Sequence, residues 1–160
     1  MNSFEATAAD LEETISQAEP LLERFTNAEA SSRPQPGKWS KKEILGHLLD
    51  SASNNHQRFV RAAVQGKLAF PGYDQDPLVE LQRFRTMEWG FLTEFWASYN
   101  RFLAQVISVL PLESATVVCN IGENPPATLE WVAQDYVAHL KHHLNQILGK
   151  TFATAYGTKA

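Results

Sequence analysis

Apolar residues recur at intervals of three and four along four long stretches of this chain, and Gly- and Pro-rich runs separate those stretches. That pattern restricts the fold to packed amphipathic helices. The separating runs are Ser31 to Gly37, Phe70 to Pro77 and Gly122 to Thr128. In the first stretch, about residues 4–27, Leu11, Ile15, Ala18, Leu22 and Phe25 share one helical face, while Glu12, Glu13, Glu19 and Glu23 supply the wet one. Pro20 lies inside the pattern, where its missing N–H and its ring predict a kink or a split. The second helix is predicted from Ser40 to about Gln65. Ser40 and Glu43 match a capping box at its start, and Gly66 is its stop.

The third stretch carries Leu92, Phe95, Trp96, Tyr99, Phe102, Leu103, Val106 and Leu110 and ends before Pro111, so it is expected to supply much of the aromatic core. The fourth starts at Thr128 as N-cap and repeats Val132, Tyr136, His139, Leu140, His143 and Ile147 until Gly149. Residues 67–85 form a connection longer than the ~2–8 residues usual between bundle helices, with Leu78, Leu81 and Phe84 spaced for a short helical turn or two. The prediction is an all-α fold: one domain over residues 1–160, an antiparallel-type four-helix bundle with a long connection between its second and third helices.

Composition narrows the function. Eighteen acidic and fourteen basic residues give a net charge of −4, without the basic excess that a phosphate backbone would demand, so nucleic acid is not expected as a partner. One cysteine, Cys119, rules out an internal disulfide and suits a reducing cytoplasm. It has no neighbouring His or basic cluster to favour its thiolate and is read as a packing residue. No apolar stretch approaches the ~18 residues of a membrane span, and the first residues lack the basic-then-apolar order of a leader, so a cytoplasmic chain without membrane contact is expected.

The five histidines carry the chemistry. His139 and His143 are separated by one helical turn, ~40° in rotation and ~6 Å in rise, so both imidazoles can reach one ion. Both lie in the apolar stripe of the fourth helix, where an unpaired imidazole would lose its hydrogen bonds to water. His47 lies on the inward face of the second helix with Ile44, Leu48, Ser51 and Asn55. Three neutral imidazoles aimed at one core are the donor set of an open divalent-metal site; structural zinc sites are usually closed and cysteine-rich. Leu140 after His139, where zinc proteases carry Glu, excludes that pattern. His56 and His142 are predicted at the surface.

Glu43, Asp50 and Asp135 each lie within a helical turn of a proposed ligand, and any of them could accept an imidazole N–H or act as a general base. Asp74 and Asp76 are read either as turn formers or as a pair facing metal or substrate. Arg58 and Arg61 follow the His47 stripe and are expected on a solvated face, with contact to an anionic substrate as the alternative. Trp39, just before the cap, is placed for a hydrophobic staple.

The segments Gly37 to Ser51, Tyr73 to Asp76 and Trp131 to Ile147 together resemble the DinB/YfiT-like superfamily of metalloenzymes: Trp before a helix, His within it, and H-x-x-x-H near the C-terminus, in that order. The resemblance spans nearly the whole chain. It implies a four-helix bundle, often a homodimer, with zinc or nickel held by the residues corresponding to His47, His139 and His143. It further implies either a transferase using a low-molecular-weight thiol (bacillithiol, mycothiol or glutathione) on an electrophilic small molecule, or a metal-dependent hydrolase. Asp50 and Asp135 are then the candidates for catalytic roles around the metal. The third possibility is a non-catalytic stress-related dimerisation module in which the metal is structural.

Overall fold

A computed structural model describes residues 1–156 of the chain. Four long helices form the bundle: α1 (Ser3–Leu22), α3 (Lys41–Gln65), α5 (Trp89–Ser108) and α6 (Leu129–Leu148), with short helices α2 (Asn27–Ser31) and α4 (Gln75–Gln82) in the connections. Helices α1, α3 and α6 start near where their sequence signals predict. Ser40 and Glu43 form the capping box of α3, Gly66 ends it at a left-handed φ of 68°, and the Thr128 hydroxyl accepts from the Trp131 N–H to open α6.

Two expectations at the N-terminal end are corrected. Helix α1 passes through Pro20 without splitting, because Pro20 lies in its last turn and the carbonyl it leaves unpaired belongs to the exposed Ser16. The helix also stops at Leu22 rather than continuing to residue 27, and Thr26 with Glu29 caps α2 as a separate turn. The Trp89 indole N–H donates to the Leu22 carbonyl at 2.8 Å, satisfying one of the orphan acceptors at the end of α1.

Helices α1 and α3, successive long helices in the chain, each pack on both α5 and α6, so they lie across the bundle diagonal from one another. Phe4, Leu11, Ile15 and Leu22 meet Leu45, Leu48, Phe59, Trp96, Leu103, Ile107, Leu140 and Leu144 in one core. The aromatic face of α5 is only partly in it. Trp96 is fully buried, whereas Phe91, Phe95 and Phe102 are 56%, 46% and 48% exposed. The apolar stripe predicted for α5 is broader than the strip its neighbours cover.

The long connection between α3 and α5 holds β1 (Leu68–Phe70), α4 and a single 3₁₀ turn at Phe84–Thr86. Strand β1 pairs in parallel with β2 (Val118–Ile121), which pairs antiparallel with β3 (Ala127–Thr128). These strands are too short to show alternation in the sequence, so the small sheet is an addition to the predicted all-α bundle. The connection is pinned by Phe84, which packs directly on the backbone of Gly46: a Cβ at residue 46 would stand 2.2 Å from the Phe84 ring.

Candidate metal centre

Helices α3 and α6 bring the three predicted histidines together. One ring nitrogen from each of His47, His139 and His143 lies within 4.8 Å of the other two. The Nε2 atoms of His47 and His139 are 3.1 Å apart. Two nitrogens bound to one zinc ion at ~2.0–2.1 Å and the tetrahedral angle stand about 3.3 Å apart, so this spacing suits a shared cation.

Neighbouring groups orient the rings. His143 Nδ1–H donates to the Gln146 Oε1 at 2.8 Å, which leaves the Nε2 lone pair free. The Ser51 hydroxyl lies 3.5 Å from His139 Nδ1. Trp39 packs beside His47 at 5.3 Å between ring centroids, and Tyr156 packs edge-on to His139 at 5.0 Å. The Nδ1 atom of His47 is buried without a hydrogen-bond partner.

Burial disfavours the charged form of all three imidazoles, and each suffers the others' charge or that of His142. His47 is pushed down to about 4, by burial first and His143 second. His139 is depressed further, by burial and then by His143, His47 and His142. Burial also lowers His143, against a smaller opposing effect of Gln146. All three are therefore neutral near pH 7, the form that ligates metal. The donors fit a divalent ion: three borderline nitrogens, neutral and close together, with His143 at the edge of a cleft. That cleft, of about 480 Å³, is lined by Trp39, Ile44, Gln75, Asp76, His143 and Gln146 and has the size of a small-molecule site.

The carboxylates divide. Glu43 is committed elsewhere: its Oε2 accepts from the Ser40 N–H and hydroxyl, and Arg33 grips both oxygens. Burial acts to raise the Glu43 pKa, but Arg33 and Ser40 outweigh it and hold the carboxyl low. Asp50 is buried, with Oδ1 accepting from Gln82 Nε2 at 2.8 Å and Oδ2 unpartnered; burial pushes its pKa up, against a smaller lowering by Gln82. Asp135 is half-buried on α6 and acts electrostatically on the Tyr156 phenol. Asp74 is a turn former, capping α4 through the Asp76 N–H, while Asp76 lines the cleft.

His142 and His56 are half-buried rather than fully exposed. His142 packs against His143 and Tyr156, and His56 Nδ1 meets the Tyr99 hydroxyl at 3.1 Å. Arg61 is exposed as expected, but Arg58 is buried. Gln146 and Tyr156 were not among the predicted site residues. The i,i+3 spacing of His143 and Gln146 carried a usable signal. Tyr156 follows the end of α6, and no periodicity marks it.

The chain has known relatives. The curated protein "Putative metal-dependent hydrolase YfiT" of Bacillus subtilis (strain 168) is 24% identical over 138 residues, covering 86% of this chain and 78% of that protein. The solved structure of YfiT from Bacillus subtilis, described as "a probable metal-dependent hydrolase with an unusual four-helix bundle topology", superposes with a TM-score of 0.80 at 21% identity. That match covers 90% of this chain and 83% of the other. The family model of the DinB superfamily matches residues 10–147, nearly the whole of the bundle, and the chain belongs to that superfamily.

Proposed function

We propose that His47, His139 and His143 hold one divalent metal ion and that the chain is a metal-dependent enzyme acting on a small molecule. The observation that carries this reading is the convergence of three neutral imidazoles, one of which, His143, lines a cleft of substrate size. A divalent ion there supplies Lewis acidity, lowering the pKa of a water or thiol that reaches it. The chain's own residues keep the imidazoles neutral, fix the His143 tautomer through Gln146, and wall the site with Trp39 and Tyr156.

The leading reaction is transfer of a low-molecular-weight thiol to an electrophile. A C–S bond forms, the leaving group departs with its electron pair, and the thiol proton passes to solvent. Glu43 is engaged with Ser40 and Arg33, which removes it as a base, while Asp50 accepts from Gln82 through Oδ1 and keeps Oδ2 unpartnered. One feature supports an external thiol. Cys119 is buried, with its thiol pushed up by burial, so a reactive sulfur has to come from outside the chain. Hydrolysis with water as nucleophile is the second reading, favoured by the description of the YfiT relative. Zinc-loaded protein incubated with a model aryl halide and glutathione or bacillithiol separates them: thiol-dependent consumption supports transfer, and turnover of an ester without thiol supports hydrolysis.

The same proposal includes pairing with a second copy. Phe91, Phe95, Tyr99 and Phe102 stack along the outside of α5 at centroid spacings of 6.0, 5.8 and 6.3 Å, and His56 of α3 packs edge-on against Tyr99 and Phe102. A contiguous aromatic ladder facing water has the character of an interface core. The single unpaired thiol suits a cytoplasmic setting. Among the described residues no helix is long and apolar enough to cross a membrane.

A further inference from the structure

Arg58 is out of place for a cation. It lies on α3, two helical turns after Ser51, and is only 9% exposed. Arginine is almost never buried to this degree without an acid partner. Here its Nε is buried and unpartnered, and its Nη1 reaches only the Asn55 Oδ1, at 3.4 Å. Among the described residues no carboxylate pairs with it. The rings of Phe70 and Tyr73 lie 5.4 and 6.0 Å from Cζ, so cation–π contact supports the guanidinium but leaves the in-plane Nε–H unmet.

The surroundings hold the group in readiness. The Asn55 amide nitrogen donates to the Ser51 carbonyl at 2.9 Å, which turns its oxygen toward Arg58. With Nη1 so engaged and two aromatic rings alongside, the Nε edge is the part of the fork still lacking an acceptor. A guanidinium edge of this kind matches the two oxygens of a carboxylate. Tyr73 connects this spot to the histidines: its phenol feels Asp50, Ser51, Arg58 and Tyr156, while Ser51 and Tyr156 both lie against His139. Burial raises the Tyr73 pKa, so the phenol stays protonated.

We infer that Arg58, with Asn55 and Tyr73 beside it, is a recognition site for a carboxylate group on the small molecule that this protein binds. The inference rests on the metal-enzyme reading for its setting: one part of the ligand occupies the histidine site while its carboxylate meets Arg58. It accounts for a buried charge that the fold itself does not neutralise.

The test uses acetate as the probe, with inorganic phosphate in a second arm, on full-length zinc-loaded protein labelled with ¹⁵N-arginine. The Arg58 Nε–H resonance is expected to shift and saturate with acetate, and to do so at lower concentration than with phosphate. Acetate affinity should fall about tenfold or more in Arg58→Met and in Arg58→Lys, which keeps the charge but loses the fork, while zinc stoichiometry stays unchanged. His139→Ala should lose zinc and still show the acetate shift at Arg58. An unmoved Arg58 resonance, a preference for phosphate, or unchanged acetate affinity in both folded variants overturns the inference. Loss of zinc binding by the wild-type protein overturns the metal reading instead. The resonance shift is read on the wild type, so it decides the matter even if the variants misfold.

Discussion

His47 Nε2 and His139 Nε2 face one another at 3.1 Å across the α3–α6 interface, each on a ring that burial keeps neutral. Two neutral imidazoles at that separation either share a proton in a hydrogen bond or share a cation, and His143 completes the set for a cation.

Without metal, this cluster makes stability pH-dependent. The folded pKa of His47 lies at about 4 and its unfolded value near 6.5, so the unfolded chain binds the proton more readily. The His47 contribution is therefore fully present above pH ~6.5 and is lost as pH falls toward ~4. At about 1.4 kcal/mol per tenfold in proton affinity, that loss is about 3 kcal/mol, with further losses in the same direction from His139 and His143. Urea denaturation of chelated protein across this range checks it. His47→Gln should flatten the profile, and an unchanged slope in that variant would contradict the assignment.

Gln146 positions His143 through a 2.8 Å hydrogen bond. Gln146→Leu removes that acceptor and is expected to weaken metal affinity about 10- to 100-fold with little effect on melting temperature. Competition against a chromophoric chelator measures it, and an unchanged affinity would show that the bond does not orient the ligand.

Gly46 is required by its neighbour. Gly46→Ala places a methyl group 2.2 Å from the Phe84 ring, and the displaced ring should destabilise the fold by about 1–3 kcal/mol. In a double-mutant cycle, Phe84→Ala should relieve much of that penalty. Additive losses would mean that the two residues do not compete for the same space.

The proposed pairing of two copies is expected to depend on the exposed ladder on α5. Phe95→Lys is expected to convert a dimer to a monomer in sedimentation equilibrium while leaving the far-UV circular dichroism intact. A wild-type chain that sediments as a monomer would refute the pairing.

Much of this molecule was legible in one dimension. Helix periodicity, the Ser40–Glu43 box, Gly66 and Thr128 delimited α3 and α6, and the inward stripe positions of His47, His139 and His143 predicted their convergence. The features that escaped depend on contacts between distant residues. The three short strands exist through pairing of residues 68–70 with 119–121, which no local pattern encodes. Arg58 follows its helical face like a surface cation until Phe70 and Tyr73 fold over it. The exposure of Phe95 and Phe102 reflects how little of α5 its neighbours cover, and periodicity does not report that. Glu43 has the spacing of a histidine partner, but local capping and Arg33 claim it first.

Metal content, measured by elemental analysis after reconstitution and again in His47→Ala and His139→Ala, tests the central claim most directly. One zinc or nickel ion per wild-type chain, absent from both variants while their helices persist, is the predicted result. Substoichiometric metal in the wild type, or uptake that survives either substitution, would contradict the three-histidine centre.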